Sequence, residues 1–273
     1  MSRVRLDQLL VQRGIAESRA KAQALIMAGR VRVEGQVSLK AGTAVPAAAA
    51  IEVKEGPRFV SRGGEKLEAA LEAFGIDVRG RTCADVGAST GGFTDCLLQR
   101  GAAKVYAIDV GKGLLEWKLR GDSRVVVMEK TNARFLRALP EAVSLVTIDA
   151  SFISLRLLLP VTKMWLAREP ETDSGIPVLG IVALIKPQFE AGRKEAQRGA
   201  GVIRRAETHR EVLREVIGYA QREDLGVRGL LRSPLLGPKG NVEFLVWLDS
   251  DAESVETVTL IERALSSPTR PQE

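Results

Sequence analysis

Charged residues follow apolar runs in the second half of the chain, at positions where buried strands are expected to end. Asp149 comes after SLVTI, Lys186 comes after IVALI, and Glu243 is the second residue of the segment VEFLVWL. A fourth charge, Lys66, lies in a predicted helix beside its apolar face. Burying charges is costly unless they are paired, so we expect the four to converge on one site. Any one of them alone is better explained as a solvated strand end.

Two lysines and two carboxylates in one place suit the activation of a hydroxyl such as a ribose 2′-hydroxyl. That group is a poor nucleophile until its proton is removed or shared. Lys186 beside Asp149 can act on it, either as a desolvated base or as a cation that stabilises the alkoxide. Lys66 and Glu243 would then hold the orientation, because near-attack geometry supplies much of the rate of a displacement.

A glycine-rich loop follows the predicted strand at 83–87 and precedes a predicted helix. Its glycines allow a close approach to a ligand, but the loop matches neither GxGxxG nor a P-loop. About twenty residues later a second strand ends in Asp109, whose carboxylate can accept both hydroxyls of a ribose. The pattern predicts a nucleoside site without a pyrophosphate cradle, which favours S-adenosylmethionine over NAD. A Gly-rich turn and a strand-end Asp of no special role are the plainer alternative. The predicted contacts around the loop are Asp85, Gly87, Ala88, Ser89, Thr90, Gly91, Gly92 and Phe93.

Apolar strands alternate with amphipathic helices after residue 60, which is typical of an α/β domain with a mostly parallel, Rossmann-like sheet. We predict seven strands, the last pair antiparallel because residues 233–241 are too few for a helical crossover. Ligands bind at the carboxyl ends of strands in such a sheet. The predicted strands lie near 83–87, 104–109, 124–128, 144–149, 179–186, 225–232 and 242–248. The predicted helices lie near 63–74, 92–99, 133–138, 155–167, 207–223 and 252–264.

The N-terminal residues carry most of the net charge. Residues 1–60 hold ten Lys/Arg against five Asp/Glu, so they account for +5 of the net +6. Two short helices, the second capped by Ser18, and a tight β unit are predicted here. We expect a small α+β domain for a polyanion with a hinge (1–60), an α/β domain with the nucleoside site (61–250), and a C-terminal helix and tail (251–273). A solvated basic surface is the alternative explanation of the charge.

Cysteine, histidine and apolar content exclude several classes of protein. Cys83, Cys96 and His209 do not make the four ligands of a structural zinc site, so we expect no metal. Isolated cysteines suit a reducing compartment. The first residues lack the apolar core of a signal peptide, and the longest apolar run, 178–185, is far short of the ~20 residues of a membrane helix. We therefore expect a cytoplasmic protein without a membrane partner.

Several segments resemble, in the same order, the TlyA-type RNA methyltransferases, a group also labelled hemolysin A within the FtsJ-like ribose methyltransferases. These segments are SRGGEKL, GASTGGFTD, TIDASFISL, LIKPQFE and GNVEFLVWL. The N-terminal RVRLDQLLVQRGIAESRAKAQALIMAGRVRVEG resembles the alpha-L RNA-binding module of the ribosomal S-four type. Together the resemblance covers residues 3–248.

The resemblance implies roles for particular residues. A Lys-Asp-Lys-Glu tetrad falls on Lys66, Asp149, Lys186 and Glu243. S-adenosylmethionine would bind at the glycine-rich loop and Asp109, with Asn132 against adenine, although an Asn after a strand is often only a turn former. The implied substrate is a cytidine 2′-hydroxyl of ribosomal RNA, free or in ribosomal subunits. The small domain would hold RNA phosphates through Arg5, Arg13, Arg19, Lys21, Arg30 and Arg32.

Three other functions compete with this hypothesis. A membrane-active hemolysin would need a leader, a membrane span or a long amphipathic β pattern, and the sequence offers none of these. An RNA-binding ribosome-assembly factor with an inactive methyltransferase fold is opposed by the intact tetrad. A small-molecule methyltransferase would not need the basic N-terminal domain. The sequence gives no indication of oligomeric state.

Overall fold

A computed structural model describes residues 2–54, 56–167, 179–192, 201–250 and 256–267. The chain forms two compact units, Met1–Arg58 and Phe59–Glu273. The division falls two residues before the boundary placed at residue 60 from the sequence. The predicted tail is described only over 256–267, and the rest of 251–273 lies outside the described residues.

The N-terminal unit packs two helices against short strands. The predicted N-cap is present, since Ser18 Oγ accepts a hydrogen bond from the Lys21 backbone N–H at 3.2 Å. The elements are β1 Arg3–Arg5, α1 Leu6–Gln12, α2 Arg19–Met27, β2 Val31–Val33, β3 Gln36–Val37, β4 Ala44–Pro46 and β5 Ile51–Val53. Strand β4 pairs antiparallel with β1, and β5 joins β3 and β2 in a three-stranded sheet.

A seven-stranded sheet forms the centre of the larger unit, in the order β11-β12-β10-β9-β6-β7-β8. Strands β10, β9, β6, β7 and β8 are parallel, while β12 runs antiparallel to both β10 and β11. The predicted antiparallel strand pair is therefore confirmed. These strands are β6 Thr82–Val86, β7 Lys104–Ile108, β8 Val125–Met128, β9 Leu145–Ile148, β10 Gly180–Ile185, β11 Gly226–Arg232 and β12 Phe244–Asp249.

Helices cover both faces of this sheet, as the apolar strands predicted. Along β10, Ile181, Ala183 and Ile185 pack into one core, while Val182 and Leu184 pack into the other. Each face is thus buried, which is why β10 is apolar at every position. The helices are α3 Gly63–Phe74, α4 Gly92–Gln99, α5 Trp117–Arg120, α6 Leu159–Lys163, α7 Pro187–Glu190, α8 Ala206–Arg222 and α9 Thr257–Ser266.

Two predicted helices are shorter than expected, and two short helices, α5 and α7, were not predicted. The segment 133–138 forms only a 3-10 turn over Ala133–Phe135, after which Leu136 is extended. The segment 155–167 is split into a 3-10 turn, Leu155–Leu157, and α6. Pro160 has no N–H to donate, so it fits the first turn of a new helix better than the middle of a continuous one.

The connection order places one crevice at the carboxyl edge of the sheet. From β6 the chain moves outward through β7 and β8, then returns to the other side of β6 for β9 and β10. The loops after β6 and β9 therefore diverge at a topological switch point, where open α/β sheets bind ligands. Among the described residues, no helix is long and apolar enough to cross a membrane.

The close packing of Phe59 on Gly64 gives a test of this fold. A Cβ at Gly64 would lie 2.3 Å from the Phe59 ring, whereas at Gly218, in α8, it would meet nothing nearer than 3.6 Å. We expect Gly64→Ala to lower the free energy of unfolding by about 1–3 kcal/mol through overpacking. The matched Gly218→Ala should raise it by up to ~1 kcal/mol through helix propensity. Tryptophan fluorescence during urea unfolding measures both, because all three tryptophans lie in the larger unit. Equal effects of the two changes would contradict this packing.

Candidate active site

All four predicted tetrad residues are brought together as two ion pairs. Lys186 Nζ lies 2.6 Å from Asp149 Oδ1, and Lys66 Nζ lies 2.5 Å from Glu243 Oε2. Glu243 is 1% exposed and both lysines are buried. The four charges sum to zero, so each desolvated charge has a partner of opposite sign, as burial requires.

Separate elements deliver these side chains. Asp149 and Lys186 directly follow the neighbouring parallel strands β9 and β10, so their backbones emerge side by side at the carboxyl edge. Lys66 lies on the buried face of α3, and Glu243 directly precedes β12. The Glu243 carboxylate packs so closely on Gly237 that a Cβ there would lie 2.4 Å from Oε1. Gly237 thus leaves the space in which Glu243 can reach Lys66.

Asp149 and Ser151 both contact the Lys186 ammonium. The Lys186 ammonium donates a hydrogen bond to Ser151 Oγ at 2.9 Å. Its 2.6 Å contact with Asp149 Oδ1 is an ion pair without hydrogen-bond geometry, and this buried oxygen has no hydrogen-bond partner among the described residues. The ammonium at 2.6 Å compensates the charge of this buried oxygen.

Three of the four tetrad residues, Lys66, Asp149 and Lys186, line a cavity of about 500 Å³, here termed the lysine cavity. Its walls come from the start of α3, the loop after β6, the ends of β9 and β10, and the loop before β12. The residues around it are Ser61, Arg62, Gly63, Lys66, Gly87, Ala88, Ser89, Thr90, Gly92, Phe93, Asp149, Ser151, Lys186, Leu236 and Pro238. Six of the eight residues predicted around the glycine-rich loop after β6 lie here, namely Gly87, Ala88, Ser89, Thr90, Gly92 and Phe93.

A second cavity of about 710 Å³, here termed the Asp109 cavity, opens beside it. Asp109 and Asn132 both line it, together with the apolar Val110 and Leu114. Gly87, Ser89, Asp149 and Ser151 line both cavities, so the two adjoin at the Lys186–Asp149 pair.

Backbone groups fix the orientation of the Asp109 carboxylate. The Ser89 N–H donates to Oδ2 at 2.8 Å, and the Gly111 N–H donates to Oδ1 at 2.7 Å. Ser89 reaches it from a left-handed backbone conformation, φ 49°. Each carboxylate oxygen still has a further lone pair, so the group can also accept from two ligand hydroxyls. Asn132 Oδ1 accepts from the Arg134 N–H at 3.1 Å, so this residue acts as a turn former and also lines the cavity.

The junction of the two cavities requires a residue without a side chain at position 87, which is Gly87. Its φ is +82°, and a Cβ there would lie 2.7 Å from the backbone oxygen of Asp149. The loop after β6 and the end of β9 therefore approach as closely as backbone atoms allow. Any larger residue would push apart the Asp109 cavity and the tetrad.

Two family models match the chain along its length. The model of the FtsJ-like methyltransferases matches residues 59–250, and that of the S4 domain matches residues 4–50. The chain belongs to the FtsJ-like methyltransferase family. Its larger unit is the methyltransferase domain, and its N-terminal unit is the S4 domain.

Two curated relatives and one solved structure match most of this chain. The 16S/23S rRNA (cytidine-2'-O)-methyltransferase TlyA of Mycobacterium tuberculosis (strain ATCC 25618 / H37Rv) is 45% identical, covering 96% of each chain. Hemolysin A of Brachyspira hyodysenteriae is 40% identical over 89% of this chain and 98% of its own. A solved structure from Streptococcus thermophilus, named as a hemolysin, has a TM-score of 0.69 and 40% identity, covering 97% of this chain and 95% of that one. Within its family, the chain is therefore of the TlyA type.

Two residues predicted to contact the cofactor line neither cavity of the methyltransferase domain. Asp85 is fully buried under the loop, where it accepts hydrogen bonds from Thr94 Oγ1 at 2.6 Å and Thr147 Oγ1 at 3.3 Å. Gly91 sits at the start of α4 with φ +96°, and a Cβ there would lie 2.3 Å from the Leu119 side chain. Both residues therefore hold the loop in place through contacts on the side away from the cavities.

Several residues at the site escaped the sequence analysis. Ser151, two positions after Asp149, binds Lys186, and that spacing was the only available signal. Phe152 is 90% exposed in a left-handed conformation, φ 63°, with its ring 4.9 Å from that of Phe189. Such backbone strain in a bulky residue tends to occur at functional sites. Phe152 lines the outer edge of the Asp109 cavity.

Asn241 supports the loop that precedes Glu243. Its buried side chain accepts from the Ile203 N–H at 2.9 Å and donates to the Gly201 carbonyl at 2.8 Å. The His209 ring contacts the Ile203 carbonyl at 3.1 Å, and burial lowers the pKa of this histidine. Residues 201–203 are thus fastened to the loop whose Leu236 and Pro238 line the lysine cavity.

The six basic residues predicted to contact RNA differ in their surroundings within the S4 domain. Arg5 and Arg19 both bind Asp7, and Arg13 donates to the carbonyls of Ala49 and Ala47, both at 2.7 Å. Lys21 pairs with the exposed Glu17. For Arg30 and Arg32 the structure shows no ion pair among the described residues. Arg13 therefore has a clear structural task, which its charge alone does not reveal.

The burial of Asp85 predicts an unusual pH dependence of stability. Desolvation raises the pKa of Asp85 from its ordinary 3.8 to about 7. As pH rises from about 4 to about 7, the unfolded chain releases this proton while the folded chain retains it, so stability falls. We expect wild type to lose roughly a few kcal/mol relative to Asp85→Asn between pH 4 and 8. Urea unfolding followed by tryptophan fluorescence measures the difference.

Asp122→Asn provides the control for this prediction. Hydrogen bonds from Arg124 lower the pKa of Asp122, so its contribution is lost only as pH falls below the ordinary carboxyl range. Between pH 5 and 8 the Asp122→Asn variant should keep a constant offset from wild type. A constant offset for Asp85→Asn as well would show that Asp85 ionises normally.

Proposed function

We propose that the chain transfers a methyl group from S-adenosylmethionine to a cytidine 2′-hydroxyl of ribosomal RNA, with cytoplasmic ribosomal subunits as its partners. The observation that carries the proposal is the junction of the two cavities at the Lys186–Asp149 pair. A nucleoside cofactor in the Asp109 cavity and a ribose in the lysine cavity would meet at this junction. The relatives named as rRNA (cytidine-2'-O)-methyltransferases support the same acceptor.

The Asp109 cavity fits the adenosine portion of S-adenosylmethionine. The oriented Asp109 carboxylate can accept hydrogen bonds from the ribose hydroxyls, and the side-chain amide of Asn132 can hydrogen-bond to the base. Val110 and Leu114 are 68% and 49% exposed on the cavity wall, and a bound adenine would cover them. When bound, S-adenosylmethionine supplies an electrophilic methyl group on a sulfonium sulfur.

Asp149 and Lys186 divide the work on the acceptor hydroxyl. The Asp149 carboxylate, whose side chain is 23% exposed, accepts the hydrogen bond that the 2′-hydroxyl donates, which turns an oxygen lone pair toward the methyl group. The Lys186 ammonium stabilises the negative charge that develops on this oxygen as its proton leaves. The proton would pass to solvent, and formation of the C–O bond would be balanced by cleavage of the methyl–sulfur bond, which gives a neutral 2′-O-methyl ether and an uncharged thioether.

The Lys66–Glu243 pair fixes the opposite wall of the lysine cavity. Its two side chains are 9% and 1% exposed, and their 2.5 Å contact joins α3 to the start of β12. A buried pair of this kind holds the ribose pocket in one shape. The basic S4 domain supplies affinity for RNA through phosphates, which makes binding salt-dependent but not sequence-specific.

Methyl transfer to purified ribosomal subunits tests the proposal. Wild type should move tritium from labelled S-adenosylmethionine to RNA of the small subunit, the large subunit or both, in a product that survives nuclease digestion as a 2′-O-methyl nucleoside. Lys186→Ala should lower the rate by about 100-fold or more, because charge stabilisation at the acceptor is lost. Its affinity for S-adenosylmethionine, measured by calorimetry, should change little, since Lys186 does not line the Asp109 cavity.

The control is Lys104→Ala, which removes a partly exposed lysine that pairs with Glu141 away from both cavities. This variant should keep wild-type transfer. If Lys186→Ala loses cofactor affinity instead, the assignment of Lys186 to the acceptor is wrong. If wild type binds cofactor yet labels neither subunit, the proposed activity on ribosomal subunits fails and a role in ribosome assembly gains support.

A further inference from the structure

One buried carboxylate in the S4 domain collects five hydrogen bonds. Asp7 is 0% exposed. Its Oδ1 accepts from Arg5 Nε at 3.1 Å and from the Gln8 backbone N–H at 3.0 Å. Its Oδ2 accepts from Arg5 Nη2 at 3.0 Å, and from Arg19 Nε and Gln23 Nε2, both at 2.9 Å. A single anion therefore ties β1, α1 and α2 together.

The cluster holds two positive charges for one negative charge. Without Asp7, the two guanidinium groups would repel each other and would not share one place. With it, hydrogen bonding from Arg5 above all holds the pKa of Asp7 well below its usual range, so the carboxylate stays ionised. The net +1 remains on the two arginines, because the anion is buried.

Both arginines keep donors on the surface. Their side chains are 45% and 53% exposed, although each is anchored at its inner end. Arg19 uses only Nε toward Asp7, and its two terminal nitrogens donate to no group in the described part of the chain. A planar guanidinium whose fork is held by a carboxylate on one side can present the other side to phosphate oxygens without first losing rotamer freedom.

We propose that Asp7 is a positioning residue for RNA binding, which holds Arg5 and Arg19 as a fixed pair for a backbone phosphate. This inference rests on the proposed function of the S4 domain in binding RNA. Arg13, Lys21, Arg30 and Arg32 are not part of the pair.

Simple electrostatics and this inference predict opposite changes in RNA affinity for the substitution Asp7→Asn. Asp7→Asn adds one positive charge to a basic domain, so charge counting predicts tighter RNA binding and a steeper salt dependence. Loss of positioning predicts weaker binding, which we expect to be about 5- to 20-fold. The control is Glu52→Gln, which removes an exposed carboxylate on β5 for which the structure shows no hydrogen bond among the described residues. This control should bind RNA as tightly as wild type or more tightly.

Filter binding of the full chain to purified ribosomal RNA over a series of salt concentrations measures these affinities without requiring methyl transfer. Asp7→Asn should also raise KM for RNA in the transfer assay while leaving cofactor affinity unchanged. To separate positioning from folding, the same change is made in an Arg5→Ala/Arg19→Ala background. There Asp7→Asn should no longer weaken binding, whereas a folding defect would weaken it in both backgrounds.

The outcomes distinguish the inference from the function on which it rests. Wild type that fails to bind RNA overturns RNA binding by the S4 domain, and the role of Asp7 with it. Wild type that binds, with Asp7→Asn binding equally or more tightly, overturns only the positioning role. If Asp7→Asn weakens RNA binding by a similar factor in the Arg5→Ala/Arg19→Ala background, the positioning role is also overturned. Asp7 would then act in folding alone.

Discussion

The close approach of Gly87 to the backbone of Asp149 is the constraint on which the catalytic architecture depends. A single Cβ at Gly87 would lie 2.7 Å from a carbonyl oxygen, so the loop after β6 can meet the end of β9 only through glycine. That contact makes the wall of one cavity also the wall of the other. The donor and acceptor of a transfer reaction must lie within a few ångströms of each other, and this junction provides that proximity before either ligand binds.

Charge pairing explains how the same crevice tolerates four ionisable side chains. Each lysine of the tetrad has its own carboxylate, and the two pairs come from four different elements, so packing of the sheet and helices decides which charges meet. Buried pairs add little net stability, since desolvation offsets their attraction. Their value here lies in a fixed, neutral arrangement of the side chains around the cavity.

The parts of this structure that follow from local sequence were predictable, and those that follow from distant contacts were not. The pattern of an apolar strand followed by a charged residue predicted that Asp149 and Lys186 lie in one site, because strand ends in a parallel sheet share one edge. The burial of Asp85 was not predictable, since its partners Thr94 and Thr147 become neighbours only when α4 and β9 pack on β6. The Asn241 contacts with residues 201–203 likewise span about forty positions of sequence.

The S4 domain shows why counting charges is a weak guide to a binding surface. The arginines look equivalent in the sequence. In the structure, however, Arg13 donates hydrogen bonds to two backbone carbonyls, while Arg5 and Arg19 both bind Asp7. An acid that lowers the net charge of a basic domain would ordinarily be counted against polyanion binding. Here it is buried, and its effect on the surface is geometric, because it determines where two cations stand relative to each other. Affinity for a phosphate depends on that placement as well as on the sum of the charges.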